Sequence, residues 1–82
     1  MRIKSRIDSP QKLGTALQQG RLVKGMSQRD LAGKLGIGQK WLWEMEQGKP
    51  GIFTTRLFKL LDATGIELYA YLELPDDEKV QS

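Results

Sequence analysis

The stretch from Ser27 to Gly48 constrains this chain more than any other part of it. Ser27 can cap a helix, and Asp30 three residues on makes a variant of the capping box. Leu31, Ala32 and Leu35 form an inner apolar stripe, which Gly36-Ile37-Gly38 breaks. A further helix follows over about Gln39–Gln47 and ends at Gly48. Each residue type has a physical reason at its position. Ala32 is small where the two helices cross. Gly36 can adopt positive φ, which lets the chain turn sharply. Leu42 and Met45 are apolar, to hold the later helix on the core.

The flanking segments complete a small helical domain. Ser9-Pro10 is a helix start, since Ser caps and Pro fits the first helical position. Leu13, Ala16, Leu17, Leu22 and Val23 follow at helical spacing, up to a stop at Gly25. Lys49-Pro50-Gly51 is a turn. Thr54 or Thr55 opens a fourth helix with Leu57, Phe58, Leu60 and Leu61 inward, ending near Gly65. The period then changes. Ile66, Leu68, Ala70, Leu72 and Leu74 alternate with Glu67, Tyr69, Tyr71 and Glu73, which predicts a strand. The expected organisation is an N-terminal arm over 1–8, a helical domain over 9–65, a dimerisation strand over 66–74 and a flexible acidic tail over 75–82.

A single strand has two open edges, and its apolar face needs a cover. Two pairings are available: residues Ile3–Ile7 of the same chain, or the equivalent strand of a second copy. The second is favoured here. It makes a two-fold dimer, with Ile66, Leu68, Ala70, Leu72 and Leu74 in a lid over the helices.

Composition removes whole classes of chemistry. The 82 residues include no Cys and no His. Disulfides, thiolate nucleophiles, Cys-based zinc sites and imidazole general bases are therefore excluded. No phosphate-cradling glycine loop is present either, so no catalytic residue, metal site or cofactor is expected. No apolar run approaches the ~20 residues of a membrane span. The N-terminus, MRIKSRIDSP, lacks an apolar stretch, which gives the expectation of a cytoplasmic, non-enzymatic protein. Charge is uneven. Residues 1–65 carry twelve Lys/Arg against five Asp/Glu, or +7, whereas residues 66–82 carry one Lys against five acids, or −4. The basic part is attracted to polyanions.

A helix, a glycine turn and a second helix make the helix-turn-helix, whose second member enters the major groove. On a helical wheel, Trp41, Leu42 and Met45 point inward or along the flank, and Trp41 is expected to pack. Gln39, Lys40, Trp43, Glu44 and Gln47 lie on the outer arc. Gln pairs bidentately with adenine, and Lys donates to the acceptors of guanine. Gln39 and Lys40 occupy the first turn, where such a helix reaches base edges. Trp43 could touch a thymine methyl, a sugar or a partner protein. Glu44 could accept from cytosine or repel phosphate. Arg2, Lys4 and Arg6 are either a solvated end or an arm that reaches phosphate.

The stretch SQRDLAGKLGIGQKWLWEMEQGKP resembles the helix-turn-helix of the Cro/repressor family, with Gln28, Ala32, Gly36, Leu42, Met45 and Glu46-Gln47-Gly48-Lys49 in the family's order. SPQKL, Arg21, QKWLWEMEQGKPG, LFKLLDATGIEL and the late strand are similar to HipB-like antitoxins, over roughly residues 8–74. The resemblance implies a mainly α fold: a four- to five-helix repressor-like domain with one C-terminal strand pairing across a dimer. It implies that Gln28 fixes the helix entry against a phosphate. Gln39, Lys40, Trp43 and Glu44 would meet bases, and Gln47 and Lys49 would contact the backbone. It also implies a structural ion pair between Arg21 and Glu46. Gly20 stands where the family usually has an apolar residue.

The implied function is a homodimeric repressor of a palindromic operator that is also the antitoxin of a HipA-like kinase, inhibiting it by binding alone. A stand-alone phage-type or metabolic repressor is one alternative. A protein-interaction adaptor with a basic docking surface is another.

Overall fold

The computed structural model describes residues 1–49 and 51–75. Six elements follow one another: β1 (Arg2–Arg6), α1 (Pro10–Val23), α2 (Gln28–Leu35), α3 (Gln39–Glu46), α4 (Ile52–Thr64) and β2 (Tyr69–Glu73). The fold is mainly helical, as expected, with four helices among the described residues. Pro50 of the expected turn and residues 76–82 of the expected acidic tail lie outside them.

Local chemistry explains the helix boundaries. The Ser9 hydroxyl accepts from the Lys12 amide at 3.2 Å, with Pro10 in the first turn. Ser27 and Asp30 make the reciprocal capping box. The Ser27 hydroxyl accepts from the Asp30 amide at 3.0 Å, and the Asp30 carboxylate accepts from the Ser27 amide at 3.2 Å. At the other ends, the amide two residues beyond each helix closes back onto it, as Ile37 does onto the Ala32 carbonyl at 3.0 Å. Gly36, with φ of 68°, supplies the left-handed residue that this closure needs. The start of α4 differs from expectation. Gly51 is its N-cap and bonds through no side chain, so the helix begins before Thr54 and Thr55.

The two strands pair antiparallel in the register Arg2↔Glu73, Lys4↔Tyr71 and Arg6↔Tyr69. The Ile7 amide donating to Leu68 and the Leu74 amide donating to Met1 extend the ladder at both ends. This corrects the preference for a second copy along this edge of β2: the neighbour is the chain's own N-terminal segment. It also corrects the assignment of residues 1–8 as an arm. Ile3, Ser5 and Ile7 point one way while Arg2, Lys4 and Arg6 point the other, so β1 has a two-faced pattern that matches β2 residue for residue. The second edge of β2 carries no strand among the described residues.

The core is small. Ile7, Ala32 and Leu42 are its buried apolar residues, joined by buried Arg21 and Glu46. Leu35, Leu60 and Trp41, expected inside, are exposed, and α4 has no buried residue. Beneath the sheet, Ala70 and Leu72 face Leu13, Ala16, Leu17 and Gly20 of α1 across an open groove of about 600 Å³. The face assigned to dimerisation thus covers the chain's own first helix, while Ile66 and Leu68 stay exposed.

Gly20 belongs to this groove. A Cβ built there meets only the Leu72 Cδ1, at 3.9 Å, an ordinary contact. Gly20→Ala is therefore expected to stabilise the fold by about 0.5–1 kcal/mol through helix propensity. Chemical denaturation followed by circular dichroism checks this.

Candidate nucleic-acid interface

The orientation of α3 is set from beneath by one buried ion pair. The Arg21 Nε and Nη2 donate to the two carboxylate oxygens of Glu46 at 2.7 and 2.9 Å. The third donor, Nη1, reaches the Met26 carbonyl at 2.9 Å. The geometry is bidentate, the strong form of this pair. It ties α1, the α1–α2 turn and α3 together, in agreement with the pairing that the resemblance implied. Hydrogen bonding from Arg21 holds the Glu46 carboxyl below the ordinary carboxylate range, against the opposing effect of burial, with Gln28 adding to the lowering. The same hydrogen bonds raise Arg21 above its usual value.

Gln28 is bound into this network. Its Nε2 donates to the Glu46 Oε1 at 3.0 Å. The resemblance implies Gln28 against a phosphate and does not announce this tie. One N–H goes to Glu46, while the amide oxygen and the second N–H remain for a ligand. Gln28 is half-buried and shares one concave surface with Gln39, Lys40 and Trp43. Four of the residues expected at DNA are thereby brought together from two helices.

Gly38 caps α3 without a side-chain bond, which leaves first-turn amides of this end open to an anion. Gln39 and Lys40 are exposed on that first turn. Further on, the Lys49 ammonium lies 4.8 Å from the centre of the Trp43 ring. The cation–π contact joins residues on either side of the Gly48 turn, and nothing in the spacing announces it. Trp43 is 41% exposed, so one part of its indole remains free. Gln47 is exposed, and Glu44 is half-buried beside the arc. Trp41, assigned to packing, is 55% exposed. At eight residues, α3 buries only Leu42 and Glu46, and its seam is too narrow to cover a third large side chain.

The crossing of α1 and α3 is close. A Cβ on Gly14 would stand 2.5 Å from the Met45 and Glu46 carbonyl oxygens, and one on Gly48 would stand 2.6 Å from the Gln11 Cα. Backbone meets backbone at both points, so the first helix acts as a fixed rest for the exposed one.

The chain matches the family described as helix-turn-helix domain over residues 12–68. No curated protein matches it. No solved structure matches it either. Among the described residues, no helix is long and apolar enough to cross a membrane.

Proposed function

The chain belongs to the helix-turn-helix domain family, whose members are DNA-binding regulators, and from that premise we propose that it is a sequence-specific repressor of duplex DNA. The observation that carries this reading is the single surface formed by Gln28, Gln39, Lys40 and Trp43. It combines two amides able to pair with adenine, one cation for guanine or phosphate, and an apolar ring suited to a thymine methyl. In this reading Gln47 and Lys49, past the end of α3, contact the phosphate backbone. Glu44 accepts from a cytosine amine at the rim of the surface.

Two copies act together in this reading. The second edge of β2, which carries no strand among the described residues, and the open groove beneath the sheet support pairing with a second chain, in which two antiparallel β2 strands lie side by side. Each chain then contributes one α3, and a two-fold operator presents successive grooves about 34–36 Å apart. The homodimer is also the antitoxin of a HipA-like kinase, a reading supported by the likeness to HipB-like antitoxins over roughly residues 8–74. It holds the kinase by binding alone.

Gel shift with the DNA upstream of its own gene tests the repressor reading. Gln39→Ala combined with Lys40→Ala is expected to lose tenfold or more in affinity and most of the sequence preference, because each base pairing contributes about 1–3 kcal/mol. Binding should also fall steeply with salt. A double variant that binds as tightly and selectively as the parent would overturn the assignment. A neighbouring gene with no kinase character would overturn the antitoxin half and leave the repressor standing.

A further inference from the structure

The outer face of the sheet carries a ladder of cations and rings that the reading surface does not use. The Arg2 guanidinium lies 4.3 Å from the Tyr71 ring centre, and the Lys4 ammonium lies 4.3 Å from that of Tyr69 and 6.0 Å from that of Tyr71. Arg6 approaches the Glu67 carboxylate at 3.8 Å, and the Tyr69 hydroxyl donates to the same carboxylate at 3.1 Å. Arg6, Glu67, Tyr69, Lys4, Tyr71 and Arg2 thus form one connected row. Among the described residues, Arg2 and Lys4 lie against rings and make no ion pair within 4 Å, with Glu73 across from Arg2 in the register. Tyr69 is 42% and Tyr71 53% exposed, so each ring keeps open surface beside its cation contacts.

We propose that this outer face is a second nucleic-acid surface and that it takes a single strand. Bases stack on the free faces of Tyr69 and Tyr71, and phosphates meet Arg2 and Lys4. Three features favour a single strand over an acidic protein. Alternate residues of a strand are about 6.8 Å apart, which is close to the repeat of an extended nucleotide chain. Flat aromatic rings interleave with the cations, the combination that binds unpaired bases with little sequence preference. Stacking also needs unpaired bases, which a duplex does not offer. The row of contacts holds both rings in place before any ligand arrives.

The two surfaces are separate. Gly14 and Gln11 of α1 meet α3, whereas Leu13, Ala16 and Gly20 face the sheet. The centres of those two sets lie more than a third of a turn apart round the helix. The ribbon and the reading surface are therefore on different sides of α1.

The experiment is fluorescence anisotropy of the whole chain with labelled oligothymidylate at low salt, with the upstream duplex measured in parallel. The parent should bind the oligothymidylate. Tyr69→Leu with Tyr71→Leu should weaken that binding about fivefold or more and leave duplex binding unchanged. Tyr69→Phe with Tyr71→Phe keeps the rings and should bind like the parent, with circular dichroism verifying the fold of each. Lys4→Ala should weaken binding as well. Three results would overturn the proposal: no binding by the parent, leucine variants as tight as the parent, or competition by oligoglutamate equal to that by unlabelled oligothymidylate, which would favour an acidic protein. Loss of duplex binding in the Gln39→Ala, Lys40→Ala variant with retained oligothymidylate binding would support it, and separates it from the repressor reading.

Discussion

Glu46→Ala is expected to destabilise the domain by about 3–5 kcal/mol, the usual cost of removing one partner of a buried ion pair. The Arg21 guanidinium would keep only the Met26 carbonyl as a partner in a site where it is 8% exposed. Gln28 would lose its acceptor at the same time. A domain of this size has a total stability of roughly 5 kcal/mol or a little more, so much of the variant should be unfolded at room temperature. Urea titration followed by circular dichroism checks this, and a midpoint unchanged from the parent would refute it. Glu46→Gln keeps the side chain's shape and removes its charge, and should fall between the two.

The same pair fixes a pH dependence. In the fold, the Glu46 carboxyl sits below its ordinary value because Arg21 hydrogen-bonds to the charged form. Its stabilisation is complete above the unfolded value of about 4.3. It is lost as pH falls below that and passes through the lowered folded value. The parent should therefore lose thermal stability on acidification below about pH 4.3, and Glu46→Gln should show a flatter curve over the same range. Asp8, lowered by its hydrogen bond to Lys12, moves the same way but is present in both proteins and cancels in the comparison.

Gly48→Ala is the second large effect. Its φ of 74° places an added Cβ in a strained backbone region, at about 1–2 kcal/mol. The same Cβ would stand 2.6 Å from the Gln11 Cα and 2.9 Å from its nitrogen, so α1 and the end of α3 must separate. Overpacking of this kind adds about 1–3 kcal/mol. Because the neighbour is backbone, no rotamer change relieves it. The variant should melt well below the parent and lose duplex affinity beyond what its folded fraction accounts for, since α3 loses its rest. Gly20→Ala in α1 should do the opposite, which makes the pair a test of packing against propensity.

The helix-turn-helix was legible because its signals are local. Ser27 and Asp30 satisfy each other within one turn, and Gly36 stands where a left-handed residue is required. β1 was less legible. Its five residues are all exposed and mostly charged, and only a partner some seventy positions away makes them a strand. Trp41 and Leu60 were misplaced because residue type predicts burial only when enough surface is available to cover it. Arg21 and Glu46 came from the resemblance, since 25 residues of separation carry no periodic signal. The Gln28 tie to Glu46 and the Lys49 contact with Trp43 depend on side-chain rotamers, which a one-dimensional pattern does not contain.

Closing the sheet joins Met1 to Leu74, so almost the whole chain must be present before that ladder can form. The contacts among α1, α2 and α3 need only the residues up to Glu46. Loop closure over so many residues carries an entropic cost that nearer contacts avoid. During synthesis, α1, α2 and α3 can therefore assemble before Tyr69–Glu73 has emerged from the ribosome, and the ribbon zips afterwards. A nascent chain stalled before that point would leave the α1 side of the groove without the sheet that faces it, a target for chaperones and proteases.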